Sequence, residues 1–255
     1  MAIEDFDGGY EVTTSSGTQF GIGTEVQIWH QTNDSVLVIF QSPLGMTQLS
    51  GTYDDQADAL RLPIQNGEVM YISRYVDSDP SKAYRSIYGI VINTNPAADA
   101  RIYLPVWSAL PPDAQSTGSS GNPLGSTDSL APSDFVGEYF IRTTADSQFG
   151  VVSTVSITES ESGSDLDLDV TNALGNSVLS TELSFDSDTV SVIGETTGTV
   201  SDPDSPDGTR DVRLVFAMSI ATEVTNGVET KYGYGIVTVG DPEQGGTFGG
   251  EEGGP

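Results

Sequence analysis

Apolar and polar side chains alternate along this chain in short bursts, each closed by glycine, proline or small polar residues. The period is two, as in half-buried strands, and no helical period of 3.6 is sustained anywhere. In the first half the pattern predicts strands over 9–14, 23–31, 35–41, 47–53, 59–64, 68–76, 84–93 and 101–106. In the second half the clearest strand runs over 212–222, where Val212, Leu214, Phe216, Met218 and Ile220 alternate with smaller or polar residues. Glycines inside Tyr88-Gly89 and Tyr232-Gly233-Tyr234-Gly235 predict bends or close backbone approach.

The two halves are copies. Asp5-Phe6-Asp7-Gly8-Gly9-Tyr10 returns as Asp134-Phe135-Val136-Gly137-Glu138-Tyr139, and at that offset of 129 Val26 falls on Val155 and Ile28 on Ile157. Leu37 and Ile39 then fall on Leu166 and Leu168 without a gap, and Leu49-Ser50 returns as Leu179-Ser180 after small insertions. Tyr88-Gly89-Ile90-Val91 returns as Tyr234-Gly235-Ile236-Val237. Self-similarity of this length predicts two tandem domains, residues 1–110 and 134–242. Residues 111–133, rich in Pro, Gly, Ser and Thr, read as a flexible linker, and the Gly-rich residues 243–255 as a disordered tail. Each domain is expected to be all-β, an antiparallel meander of seven or eight strands closed as a barrel, with a β-sandwich as the alternative. The Phe-x-Gly-x-Tyr start of each copy, together with Leu49-Ser50-Gly51-Thr52-Tyr53, resembles calycin-type barrels of the lipocalin and avidin kind. That resemblance implies an architecture and brings no site residues with it.

A hairpin register follows from the repeat. With Asn33-Asp34 as turn residues, Ile28 faces Ile39 and Trp29 faces Val38; in the second copy the turn moves to Ser162-Gly163, and Ile157 faces Leu168. The inward face is then Val26, Ile28, Leu37 and Ile39, matching Val155, Ile157, Leu168 and Val170. The outward face of copy one becomes Val36, Val38 and Phe40 beside Trp29, where copy two carries Asp165, Asp167, Asp169 and Thr158. An apolar cluster of this kind on an acidic chain predicts an interface, covered by the linker, the other copy or a partner.

Charge narrows the functional classes. Nine Lys+Arg against 37 Asp+Glu give a net charge of −28, which repels nucleic acid and anionic membranes. Such self-repulsion fits either a saline habitat, where about 1 M salt shortens the screening length to about 3 Å, or an acidic surface protein. No cysteine is present, so disulfides and thiolate chemistry are excluded. The N-terminal residues have no basic region followed by an apolar one, so no signal peptide is visible; an extracellular or virion surface and a halophile cytoplasm both fit.

Candidate chemistry is sparse. The single histidine, His30, and its counterpart Glu159 occupy one predicted inward position; they mark either a cavity mouth or the end of a strand leaving the core. Tyr88 and Tyr234 are the tyrosines expected beside such a mouth. Asp202, Asp204 and Asp207 could offer hard oxygens to calcium, although the loop lacks EF-hand spacing and two prolines stiffen it, which favours a solvated acidic loop. Gly21-Ile22-Gly23 precedes a strand and is no dinucleotide loop. No cofactor is expected, and no nucleophile motif surrounds any serine. The reading is a non-catalytic structural, assembly or binding module, with self-association or a protein partner engaged through the first domain. The alternatives are a small hydrophobic ligand or glycan bound in the barrel, or a cofactor-independent barrel enzyme of isomerase or cyclase type.

Overall fold

A computed structural model of the chain describes residues 3–17, 20–32, 34–76, 85–94, 106–110, 130–145, 150–160, 165–201, 206–225, 227–239 and 241–252. The first copy holds β1 (Gly8–Ser15), β2 (Glu25–His30), β3 (Ser35–Ser42), β4 (Gly45–Asp54), β5 (Ala59–Pro63), β6 (Glu68–Val76), β7 (Arg85–Asn93) and β8 (Val106–Leu110). The second holds β9 (Gly137–Ala145), β10 (Thr154–Glu159), β11 (Leu166–Thr171), β12 (Ser177–Asp186), β13 (Ser191–Ser201), β14 (Thr209–Thr225), β15 (Val228–Val239) and β16 (Asp241–Glu252). Each set is an antiparallel meander that closes on itself, β1 pairing with β8 and β9 with β16. The fold is two eight-stranded barrels in tandem, and the sandwich alternative is set aside. Among the described residues no helix is long and apolar enough to cross a membrane.

The repeated entry motif closes one end of each barrel. A 3-10 turn, Ile3–Phe6 or Pro132–Phe135, buries its final phenylalanine. A glycine then turns the chain into the first strand, with φ 145° at Gly8, which other residues rarely adopt, and a nearly extended 159° at Gly137. Two residues on, a buried tyrosine donates its hydroxyl back to the phenylalanine carbonyl, Tyr10 to Phe6 and Tyr139 to Phe135, both at 3.0 Å. Phe6 meets Tyr53 edge-on at 6.1 Å, and Phe135 meets Phe185 in the same way at 5.9 Å. The recurring stretch is therefore an end plug, and its residue types follow from the packing and the return hydrogen bond.

The hairpin of the first copy corrects the expected register. Ile28 pairs with Val38, Trp29 with Leu37 and His30 with Val36, whereas in the second copy Ile157 pairs with Leu168 as expected. Val36, Val38 and Phe40 thus point into barrel one and are buried; they form no outer patch. Leu37 and Ile39 take the outward positions. The offset between copies rises from 129 at Ile28/Ile157 to 130 at Val38/Leu168, because the second hairpin loop is one residue longer. By β4 and β12 it is 132, so Leu49 corresponds to Thr181 and not to Leu179.

The expected disordered tail is also corrected. Residues 241–252 form β16, which pairs with β15 on one side and β9 on the other and completes the second barrel. Ladder hydrogen bonds need only backbone groups, so the glycines of this strand do not prevent pairing. Of the expected linker, residues 111–129 lie outside the described residues. Its end is ordered: Leu130 packs against the apolar clusters, its N–H bonding the Gln56 carbonyl, and Pro132 starts the second plug.

Candidate functional site

β6, β7, β14 and β15 are buried on both faces, which an isolated barrel would not require. Their inward residues fill the barrels, and their outward residues form one apolar seam between them, including Tyr71, Tyr88 and Ile90 from the first and Ala217, Tyr234 and Ile236 from the second. At its centre the Tyr88 hydroxyl lies 2.7 Å from Ser219 Oγ, and the Tyr234 hydroxyl lies 2.7 Å from Ser73 Oγ. Ser73 is paired with Tyr88 across β6 and β7, as Ser219 is with Tyr234 across β14 and β15. The contact is therefore reciprocal, with equivalent residues exchanging partners as in an isologous dimer. The two tyrosine rings meet edge-on at 5.7 Å. Burial pushes both phenols well above their ordinary range, and the serine hydrogen bonds oppose that only in part.

Tyr88 and Tyr234 were expected at a cavity mouth, and this placement is corrected: they are fully buried in the seam. The glycines beside Tyr234 face the interior of barrel two instead, where a Cβ on Gly233 would meet Met218 and Tyr139 of the core. A Cβ on Gly235 would sit 2.0 Å from the Ala217 carbonyl oxygen, so the strand can approach its neighbour only without a side chain. At the edge of the seam, Tyr71 donates to Glu223 Oε1 at 2.5 Å, and Arg61 Nε donates to the same oxygen at 3.0 Å. This network joins barrel one to β14 of barrel two.

A second polar network lies where barrel one meets the β12–β13 turn. Asp58 is wholly buried, accepting from Arg74 Nε at 2.9 Å and from the Tyr53 hydroxyl at 2.8 Å. Arg74 also donates to the Asp188 carbonyl at 3.0 Å, lies 3.4 Å from Asp5 and stacks over the Phe6 ring. Burial pushes the Asp58 carboxyl up, and the Arg74 guanidinium pulls it the other way. Each charged group finds its partners inside the protein, so the network ties the plug, the β4–β5 turn and the second barrel together.

The other expected residues are scattered. His30 and Glu159 are exposed at the ends of β2 and β10, and the His30 ring bonds Asp7 of the plug. Asp207 is exposed, while Asp202 and Asp204 lie outside the described residues.

The remaining candidate features lie on the outer surface. On the outer wall of barrel one Trp29 is 45% exposed and pairs with Leu37, beside Gln27 and Ile39. Met46, on the adjoining strand β4, is also exposed. The corresponding wall of barrel two is a shallow groove of about 370 Å³ lined by Ser156, Thr158, Asp167, Asp169, Ser180 and Glu182. The contrast between copies is thus real but rests on Trp29, Leu37 and Ile39, against Thr158, Asp167 and Asp169. Sequence reasoning missed it by one residue.

No protein-family model matches the chain, and no curated protein matches it. Among solved structures, a protein of unknown function from the DUF3598 family of Nostoc punctiforme PCC 73102 is similar, at 9% identity and a TM-score of 0.29. The match spans 98% of this chain and 97% of the other. At that TM-score the likeness carries no argument about function.

Proposed function

We propose that this protein is a non-catalytic assembly module, in which two barrels locked into one body present uncharged patches of an otherwise acidic surface to further copies. The observation that carries this reading is how the barrels are filled. The inward side chains of each form one buried cluster; in the first, Phe20 and Phe40 meet at 4.4 Å across the interior. Apolar side chains that are not used there or in the seam lie outside, on the Trp29 wall and at loop tips. A saline setting suits it, since chains of net charge −28 approach one another only when the charge is screened.

Light scattering behind size exclusion tests this. As NaCl rises from about 0.1 M to about 1 M, where the screening length falls from about 10 Å to about 3 Å, the mass should grow beyond the 26.8 kDa chain. The melting temperature should rise by several degrees over the same range. A mass fixed at one chain at every salt and protein concentration would overturn the reading, and flat melting curves would remove its saline part.

A further inference from the structure

We propose that assembly runs through two equivalent loop tips, one on each barrel, each meeting a tip of another copy of this chain. The inference rests on the assembly reading above and names its contact. In barrel one the tip is Ile22 on the β1–β2 loop and Leu44 on the β3–β4 turn, at the same end of the meander; in barrel two it is Val151, Val152 and Leu174. Leu44 is 91% exposed and Leu174 is 85% exposed.

Both leucines are held outward by the same device. The Leu44 N–H bonds Ser42 Oγ at 3.2 Å, the Leu174 N–H bonds Asn172 Oδ1 at 2.9 Å, and a glycine with positive φ follows each. The outer walls of the two copies have diverged to Trp29, Leu37 and Ile39 against Thr158, Asp167 and Asp169, yet the tips have stayed apolar. Val152 carries the point further. It has φ 73° where its counterpart Gly23 has φ 80°, a conformation that a β-branched residue adopts only at a cost. Its side chain is exposed, so internal packing does not offset that cost.

Charge identifies the occupant. Asp, Glu, Lys and Arg are absent from the described residues of the two tips, 20–24 with 42–45 and 150–153 with 172–176, although the chain holds 37 acidic and nine basic residues. A basic partner would be drawn to the acidic walls and would gain nothing from these caps. A second copy, equally acidic, can approach only where neither surface is charged. Each tip is far smaller than a stable interface of about 1,200 Å² or more, so single contacts are weak and salt-promoted. Two tips per chain allow growth past a dimer.

Sedimentation of the full chain in about 1 M NaCl, across a range of protein concentrations, tests this. The wild type should grow beyond dimers. Leu44→Asp alone or Leu174→Asp alone should stop at dimers or below, and the double variant should be monomeric with an unchanged far-UV spectrum. Val152→Gly should raise the melting temperature while weakening assembly at its tip, a pairing of effects that a purely structural role would not give. If the double variant assembles like the wild type, the inference fails while the assembly reading stands. The same holds if Trp29→Thr, Leu37→Asp, Ile39→Asp is the variant that abolishes assembly. A monomeric wild type would overturn both, as would a monomer that instead binds neutral phosphatidylcholine vesicles.

Discussion

Val36→Asp, Val38→Asp and Phe40→Asp in one chain should leave barrel one unfolded, whereas Trp29→Thr, Leu37→Asp and Ile39→Asp should leave it folded. The two sets are neighbours on β2 and β3 and differ only in the face they occupy. The first three side chains are buried, and each contributes about 1.5–3 kcal/mol by burial. Replacing them also forces three carboxylates into an apolar cluster with no partner, a further cost of several kcal/mol if they stay charged. Against a total stability of about 5–15 kcal/mol, the sum leaves nothing. The second set lies on the outer wall and copies what barrel two carries at Thr158, Asp167 and Asp169, so its cost should stay within about 1–2 kcal/mol. Circular dichroism and urea unfolding read both. A core triple variant with wild-type melting would mean that the register described above is wrong.

The second large effect is alkaline. Tyr88 and Tyr234 are fully buried and held above their ordinary range, whereas in the unfolded chain a tyrosine titrates near pH 10. Above about pH 10 the unfolded chain therefore loses protons that the folded chain keeps, and stability falls as pH rises. Below about pH 10 the contribution is fully present. The slope is about 1.4 kcal/mol per pH unit for each phenol, about 2.7 for the pair, so little more than a few units exhausts the fold. The Tyr88→Phe, Tyr234→Phe variant should be less stable at pH 8, because Ser219 and Ser73 lose their partners, at about 1–3 kcal/mol each. Its slope above pH 10 should be shallower by about 2.7 kcal/mol per pH unit, the share of the two phenols. Urea unfolding between pH 8 and about pH 11.5 gives both numbers, and parallel curves would contradict a buried, protonated seam.

These two cases show where the sequence was legible. Strand positions were, because a period of two survives even where both faces are partly buried; β6 runs over Glu68–Val76 as the pattern predicts. The duplication was, because the end plug needs a phenylalanine, a glycine and a tyrosine in fixed order. The register of β2 and β3 was not. Val36-Leu37-Val38-Ile39-Phe40 is apolar on both faces, so no alternation chooses between them, whereas Leu166-Asp167-Leu168-Asp169-Val170 leaves one choice. One added residue in the second loop then carried the wrong face across the comparison.

The seam was hidden for a related reason. Its signal is an excess of apolar residues on the faces that a lone barrel would leave wet, such as Tyr71 and Tyr75 on β6 and Val215, Ala217 and Ala221 on β14. Such runs read equally well as strongly buried strands. Glycine-rich β16 offered no side-chain pattern at all, and only its pairing with β15 and β9 identifies it. Candidate residues such as His30 and Glu159 were chosen for their side-chain chemistry, and they lie at exposed strand ends.

In the proposed module the barrels are closed within and contacts are made on their outside. Native mass spectrometry of the purified chain, sprayed from volatile salt at high ionic strength, tests it most directly. Multiples of the 26.8 kDa chain are expected, with no added mass on any of them. A single chain carrying a stoichiometric small molecule that leaves only on unfolding would contradict it, and would move the functional site from the outer surface into a barrel.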